Sequence, residues 1–381
     1  MKIAVPAEAD QVETRVAATP ETVKKFIALG AEVFVQSGAG AGSRIPDAEY
    51  AAAGATLVPT AADAIRDADI VLAVRRADGA ALKPAKPGAL VVATMDPYGN
   101  EAALQALADA GVSAFAMELM PRISRAQVMD VLSSQANLAG YQAVIDAASE
   151  YGRALPMMMT AAGTVPAARV FVMGAGVAGL QAIATARRLG AVVTATDVRP
   201  AAKEQVESLG AKFVAVEDEE FKQAETTAGY AKPMSAEYQA KQAVLVAEHI
   251  KKQDIVITTA LIPGRPAPRL VTRDMVASMK PGSVVIDLAV ERGGNVEGAK
   301  AGEVASVGDV KIVGHLNVAG RIPASASALY SRNLYAFVET LIDKAAKSVA
   351  VNWDDELVKA TLLTRDRAVV HPAFVAKGAA A

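Results

Sequence analysis

The sequence predicts an α/β chain built on doubly wound parallel sheets, and three observations carry that prediction. Short β-branched apolar runs alternate with helical patterns from residue 2 to residue 120 and again from residue 170 to residue 313. One run, Val170–Phe171–Val172–Met173, passes straight into a glycine-spaced turn and an alanine-rich helical stretch. The 381 residues suffice for two domains of about 100–200 residues each, and 52% of them are apolar.

In the first half, strand candidates are Lys2–Val5, Glu32–Gln36, Ile70–Val74, Leu90–Ala93 and Ala114–Met117. Helix candidates Glu21–Leu29, Asp47–Ala53, Thr60–Arg66 and Glu101–Ala110 lie between them. Thr19–Pro20–Glu21 supplies a cap and a proline at the first helical position. Strand–helix alternation implies a parallel sheet covered on both faces. The glycine-rich stretch Val35–Gly42 follows the second strand rather than the first and reads as a flexible loop. Ser124–Glu150 reads as one long helix, placed where a helix would join two domains. Pro156–Pro166 has apolar residues around a small turn and reads as an exposed hairpin. Its run Met157–Met158–Met159 suits either a dimer contact or internal packing.

The stretch that organises the second half is Gly174–Ala175–Gly176–Val177–Ala178–Gly179. Gly174 permits a tight turn, Gly176 lets backbone approach a pyrophosphate, and Gly179 lets the helix pack close. The helix start then presents free N–H groups and a positive dipole end to phosphate. The next strand, Val192–Thr196, ends in Asp197, 18 residues past Gly179, where a carboxylate accepts ribose hydroxyls. Arg199 complicates this, because an arginine there can accept a 2′-phosphate; Asp197 would repel one, so NAD(H) is the expected cofactor. Strands at Lys212–Val216, Asp254–Thr258, Ser283–Leu288 and Lys311–Val313 follow. Their carboxyl ends place Thr258–Leu261 (with Ala260 and Leu261 as candidate nucleotide contacts), Asp287–Glu291 and His315–Asn317 beside Asp197. Glu217–Tyr238 is a long polar interruption of the kind that is functional or mobile. Ala324–Leu341 reads as a helix returning to the first domain. Thr364–Arg367 reads as a turn between short strands, and the Ala–Gly end as frayed. The expected architecture is therefore two Rossmann-like doubly wound parallel-sheet domains joined by long helices, with a protruding β-hairpin. The first domain comprises residues 1–135 and 325–381 and lacks a dinucleotide fingerprint; the NAD(H)-binding domain comprises 136–324.

Composition narrows the function further. A net charge of −2 gives no field for nucleic acid or an anionic membrane surface. The absence of cysteine removes disulfides, thiolate catalysis and cysteine metal sites. His249, His315 and His371 are too scattered to suggest a metal cluster. The N-terminus reads as a strand rather than a signal peptide, and no run approaches the 18 apolar residues of a spanning helix. A soluble, cytoplasmic chain is expected.

Chemistry outside the glycine turn concentrates in Glu118–Ser133. Gln127, Asp130 and Ser133 recur at a spacing of three, along one ridge of a helix. Arg122 and Arg125 precede the ridge. It suits a solvated face, or an interdomain helix presenting donors to a nicotinamide.

Four stretches resemble a known family: Met117–Gln127, Ser133–Tyr141, Met157–Pro166 and Gly174–Ala182. They are similar to the proton-translocating nicotinamide nucleotide transhydrogenases, in their soluble NAD(H)-binding component, domain I of the alpha subunit. The resemblance covers nearly the whole chain. It implies hydride transfer between NAD(H) held here and NADP(H) held on a beta-subunit domain, with protons moved by a membrane-spanning subunit. It implies that Arg122, Gln127, Asp130 and Ser133 contact the nicotinamide end. Asp197–Val198–Arg199 matches the ribose segment, and Gly229–Tyr230–Ala231 matches a mobile closing loop. It also implies a homodimer through the hairpin, and peripheral attachment to the inner face of the cytoplasmic membrane through partner subunits.

Nicotinamide-to-nicotinamide transfer requires orientation and exclusion of water rather than a general base. That separates the reading from alanine dehydrogenase, which shares the motif Arg15–Val16–Ala17–Ala18–Thr19–Pro20 but places a lysine and a histidine where this chain has Val74–Arg75–Arg76 and Thr94–Met95–Asp96. Arg15 then has no assigned function. A non-catalytic NAD-sensing module is the third reading.

Overall fold

Alternation along each strand sets the two faces of both sheets. Ile3, Val5, Ile70, Leu72, Val74, Leu90, Val92 and Phe115 face one core. Their neighbours Ala4, Val71, Ala73, Val91, Ala93, Ala114 and Ala116 face another. Both faces are apolar, as a parallel sheet covered by helices on each side requires. Each fully buried branched side chain contributes about 1.5–3 kcal/mol.

The computed structural model describes residues 1–224 and 234–375. The chain divides into two units, Met1–Gln135 with Ala319–Ala381, and Ala136–Val318. It begins with β1 (Lys2–Val5), α1 (Pro20–Ala28), β2 (Glu32–Gln36), α2 (Asp47–Ala52), β3 (Thr56–Val58) and α3 (Ala61–Ile65). Then come β4 (Ile70–Arg75), α4 (Gly79–Leu82), β5 (Leu90–Thr94), α5 (Glu101–Asp109), β6 (Ser113–Ala116) and α6 (Val131–Tyr151). The second unit continues with β7 (Met158–Thr160), β8 (Gly163–Val165), β9 (Arg169–Met173), α7 (Val177–Arg188), β10 (Val192–Thr196) and α8 (Ala202–Ser208). It goes on through β11 (Lys212–Phe213), α9 (Glu219–Lys222), α10 (Ala236–Ile250), β12 (Ile255–Thr258), α11 (Arg273–Ala277), β13 (Val284–Asp287), β14 (Val304–Val307) and β15 (Val310–Val313). The first unit is completed by α12 (Pro323–Glu339), β16 (Ile342–Asp343), β17 (Ser348–Val349), α13 (Glu356–Thr361), β18 (Leu362–Arg365) and β19 (Ala368–Val369).

The first unit holds an eight-stranded sheet of order β19-β18-β6-β5-β4-β1-β2-β3, and the second a seven-stranded sheet of order β11-β10-β9-β12-β13-β15-β14. Both are Rossmann-like: the central strands run parallel, and the order reverses between β1 and β4 and between β9 and β12. The pattern breaks at one end of each sheet. β18 runs antiparallel to β6, and β14 to β15. The hairpin is the antiparallel pair β7–β8, with Met157, Met158 and Met159 exposed by 61%, 43% and 76%.

Two expectations are corrected. Ser124–Glu150 is not one helix: Ser124–Met129 forms a 3-10 segment, Asp130 is extended at ψ 91°, and α6 starts at Val131. Val35–Gly42 is not a loose loop. A Cβ on Gly40 would stand 2.7 Å from both the Ile45 carbonyl oxygen and the Tyr50 ring, and one on Gly42 would stand 2.7 Å from the Thr14 carbonyl oxygen. These glycines serve packing. The second sheet also has a strand that the sequence pattern does not mark, β14, a short edge strand with alternating exposure. The frayed-tail expectation covers residues 376–381, which lie outside the described residues.

Candidate functional site

Register aligns the strand ends of the second unit. Met173 pairs with Thr196 and with Thr258, and Thr258 pairs with Asp287. Gly174, Asp197 and Thr259 therefore leave the sheet at one edge, beside the point where strand order reverses. Gly174 has φ +104°, a backbone setting open to glycine, and a Cβ there would sit 2.4 Å from Thr259 Oγ1. Thr259 Oγ1 donates to the Gly174 carbonyl at 3.1 Å. A Cβ on Gly179 would fall 1.8 Å from that same carbonyl oxygen, so this glycine lets α7 sit directly on the turn. A Cβ on Gly176, by contrast, would meet nothing within 4 Å. The open side of Gly176 lies at the start of the 12-residue α7, whose first N–H groups carry the positive end of the helix dipole. That is the environment a pyrophosphate requires.

Asp197, with its side chain 8% exposed, closes the second side. Its Oδ1 accepts from the Arg199 N–H and from Arg199 Nε, both at 2.9 Å. Its Oδ2 accepts from Arg199 Nη2 at 3.0 Å and from the Ala175 N–H at 2.7 Å. The carboxylate thus ties the end of β10 to the glycine turn. Val198 beside it is exposed. After β12, Asn295 holds Ala260 from both sides: Oδ1 accepts from the Ala260 N–H at 3.0 Å, and Nδ2 donates to the Ala260 carbonyl at 2.9 Å. Leu261 and Ile262 beyond it are 54% and 45% exposed, a short apolar ledge on the same edge. Asp287 is structural. It is fully buried and accepts from the Ala289 and Val296 N–H groups at 2.9 Å each. His315 Nδ1 lies 3.1 Å from Asp146 Oδ2, and Gln142 Nε2 donates to the other Asp146 oxygen at 2.8 Å. His249 packs edge-on to Phe171, and burial holds it below the ordinary histidine range, with Lys252 and Lys212 adding to the effect. Gly229 and Tyr230 lie outside the described residues.

In the first unit, Asp130 caps α6. Its Oδ1 accepts from the Ser133 N–H at 2.8 Å and its Oδ2 from Ser133 Oγ at 2.5 Å. Two residues singled out for chemistry thus make a capping pair. Gln127, on the 3-10 segment, and Arg122 are exposed, so the expected ridge is a bend rather than one helical row. Arg125 is bound by Asp355 at 2.6 Å and Glu356 at 3.2 Å.

The strand ends of this unit carry a buried charged cluster. The Glu8 carboxylate accepts from the Val74 N–H at 2.6 Å and the Arg75 N–H at 3.1 Å. Burial, reinforced by Glu13, nonetheless pushes it up to about 7. Burial also acts to raise Glu13, but bonds from Arg15 Nε and Nη2 at 2.7 Å and Arg75 Nε at 2.8 Å outweigh it and hold Glu13 at about 2. Arg15 Nη1 donates to Gln135 at 2.9 Å. Arg15, unexplained by the sequence, is thus part of a built ion-pair network. Burial raises Glu118 as well, although it accepts from the Met95 N–H at 2.8 Å.

Sequence reasoning missed Asn295, Gly140 and the Glu8–Glu13 pair. A Cβ on Gly140 would sit 2.0 Å from the Ala178 carbonyl oxygen, so it sets the approach of α6 to α7. A glycine inside a helical pattern was the signal. Gly293–Gly294 marked the turn carrying Asn295; nothing local marked Glu8 or Glu13.

Comparison with known proteins places this architecture. The family models "Alanine dehydrogenase/PNT, N-terminal domain" and "Alanine dehydrogenase/PNT, C-terminal domain" match residues 4–139 and 143–372. The chain belongs to the alanine dehydrogenase/PNT family. Within the alanine dehydrogenase/PNT family it stands with the transhydrogenase alpha subunits. It is 55% identical to the first-part alpha subunit of the NAD(P) transhydrogenase of Rhodospirillum rubrum, over all of both chains. The solved transhydrogenase of Sinorhizobium meliloti superposes with a TM-score of 0.89 at 66% identity, covering 97% of this chain and all of that one. Alanine dehydrogenase of Mycobacterium tuberculosis is more distant, 33% identical over 79% of this chain and 75% of its own. Among the described residues no helix is long and apolar enough to cross a membrane.

Proposed function

We propose that this chain is the NAD(H)-binding component of a proton-translocating transhydrogenase. In this reading it holds NAD(H) for direct hydride exchange with NADP(H) held on the beta-subunit domain of a partner, coupled to proton movement by a separate membrane-spanning component. The observation that carries the reading is the end-to-end likeness, at 55% identity, to a transhydrogenase alpha subunit. The open edge at Gly176 and Asp197 supports the cofactor assignment.

Bound nicotinamide supplies the hydride chemistry; the chain supplies placement and a dry surface. Gly174, Gly176, Val177 and Gly179 form the pyrophosphate seat, Asp197, Val198 and Arg199 the ribose end, and Ala260 and Leu261 the flank. Arg122, Gln127, Asp130 and Ser133 are assigned to the nicotinamide end, where the Asp130–Ser133 pair offers an already ordered carboxylate. Gly229 and Tyr230 are assigned to closure over the nucleotide. The cofactor domain is residues 136–324, with 1–135 and 325–381 as the other. The exposed methionines of β7 and the residue before it support a homodimer through the hairpin. Peripheral attachment to the inner membrane face follows from the partner subunits.

The test is hydride transfer from NADPH to an NAD analogue of shifted absorbance, with and without an NADP(H)-binding partner domain. Transfer only with the partner is expected. Oxidation of NADH by the chain alone with pyruvate and ammonium would overturn the reading in favour of alanine dehydrogenase. NADH binding with no transfer to any partner would favour the sensing module. Gln127→Ala is expected to slow transfer far more than it weakens NADH binding; equal losses would remove its orienting role.

A further inference from the structure

We propose that Asn333 is a positioning residue for hydride transfer: it ends a hydrogen-bond chain that fixes the bend carrying Gln127 and Asp130. The inference rests on the assignment of that bend to the nicotinamide end and deepens it. The 3-10 segment Ser124–Met129 is secured in two places by its own side chains. Ala126 and Met129 are buried in one core with Tyr330, Leu334 and Phe337 of α12, and Arg125 is bound to Asp355 beside α13. The end that leads into Asp130 is weaker. There the Asp130 N–H reaches the Gln127 carbonyl at 3.4 Å, beyond the roughly 2.7–3.2 Å of a good bond. The Val128 carbonyl falls among the last of the segment, which a helix does not satisfy itself. Asn333, on α12 and 8% exposed, supplies that contact: its Nδ2 donates to the Val128 carbonyl at 2.8 Å.

Asn333 is itself held in one orientation. Its Oδ1 accepts from Ser134 Oγ at 2.7 Å, Ser134 Oγ accepts from Gln135 Nε2 at 3.2 Å, and Gln135 Oε1 accepts from Arg15 Nη1 at 2.9 Å. A guanidinium can only donate. Gln135 must therefore turn its oxygen to Arg15 and its amide N–H groups away, onto Ser134 and the Ala326 carbonyl of α12. The Ser134 hydroxyl then directs its proton to Asn333, and Asn333 points its own N–H at Val128. Four hydrogen bonds thus run in one direction from a cation to a backbone carbonyl, the arrangement in which each polarises and strengthens the next. Arg15 is fixed in turn by Glu13 at 2.7 Å. The charged cluster at the strand ends therefore acts beyond its own edge of the sheet, because it sets the direction of the bonds that hold the residue between Gln127 and Met129. A displacement of about 1 Å in such a support costs about a hundredfold in a reaction that depends on orientation.

Single-turnover transfer from NADPH to an NAD analogue of shifted absorbance tests this, with the purified full chain and an NADP(H)-binding partner domain, beside NADH titration and urea unfolding. The chains compared are wild type, Gln127→Ala, Asn333→Ala, Ser134→Ala and Ser134→Ala/Asn333→Ala. At saturating nucleotide, Asn333→Ala should slow transfer by about tenfold to a hundredfold and Ser134→Ala by about threefold to tenfold, with NADH affinity within about twofold of wild type in each. The double variant should be within about twofold of Asn333→Ala, because both changes break one chain. Ser134→Ala, a smaller change at a half-buried position, decides the matter where Asn333→Ala does not fold. A wild-type rate in either folded single variant, a loss of NADH affinity in proportion to the loss of rate, or effects that multiply in the double variant overturns the inference. Those outcomes leave the functional reading standing as long as wild type transfers and Gln127→Ala is slow. A full rate in Gln127→Ala removes the role of the bend, and this inference with it. No transfer by wild type with the partner domain removes the functional reading, and this inference falls with that too.

Discussion

The two units share a sheet order and fill the same topological position in opposite ways. In the second, the strand before the reversal, β9, runs into glycines, and the space beside Gly176 stays open. In the first, β1 runs into Pro6–Thr19, and the chain fills that edge with its own charges. Glu8 binds the end of β4, and Glu13 clamps Arg15 and Arg75. The crevice outside the carboxyl ends of strands is a default of the fold. The residues just past the first strand make it a seat or a plug: glycines leave backbone bare, whereas acids and arginines satisfy one another.

The sharpest break in that contrast is Gly179→Val. Its Cβ has nowhere to go but into the Gly174 carbonyl, so a loss of about 3 kcal/mol or more in urea unfolding is expected, together with loss of NADH binding. Glu13→Ala should come next. It takes the shared carboxylate from two guanidinium groups, leaving Arg15 with Gln135 and Arg75 with Asp10, and should cost about 2–3 kcal/mol, the lower figure reflecting the partial exposure of Arg75, with NADH titration retained. A variant of normal stability would show that the first unit does not depend on its plug.

The third expectation concerns pH. Folded Glu8 titrates near 7 against an ordinary 4.5, so the folded chain binds more protons between those values. Its contribution to stability is therefore favourable at low pH and declines as pH rises from 4.5 to about 7, by up to about 3 kcal/mol. Glu13 acts oppositely: its contribution is present above 4.5 and lost as pH falls toward about 2. The windows do not overlap, so chemical unfolding at pH 5 and pH 8 separates Glu8 from Glu13, and Glu8→Gln should shift that difference in favour of pH 8. An unchanged slope would assign it to other groups. The smallest effect on the fold is Gly176→Ala. The backbone there has φ −76° and open space, so stability should change by less than about 1 kcal/mol while NADH affinity falls. Full affinity in that variant would move the pyrophosphate away from this turn.

Much of this was legible locally. Strands β1, β2, β10 and the helix α1 are written in short apolar runs and a Thr–Pro start, because hydrogen-bonded neighbours within an element are close in sequence. The glycine turn and Asp197 were legible because strand, turn and helix follow one another without interruption. The short pieces β3, α4 and β14 escaped, since three or four residues carry too little periodicity. Asp130 illustrates the other limit. A spacing of three reads as a helical ridge, yet an aspartate is equally suited to cap the helix that starts after it, and here it does.

The sequence by itself determined that this is a doubly wound α/β chain with one dinucleotide turn, because glycine spacing and strand–helix alternation act over a few residues. Only the tertiary structure decided what the charged residues do. Glu13 meets Arg75 across 62 positions, Asn295 grips Ala260 across 35, and Asp197 reaches back 22 to Ala175. Partners so distant in sequence leave no periodic trace. Whether a carboxylate is a ligand, a cap or a plug is settled by which donors the fold brings within hydrogen-bonding distance of it.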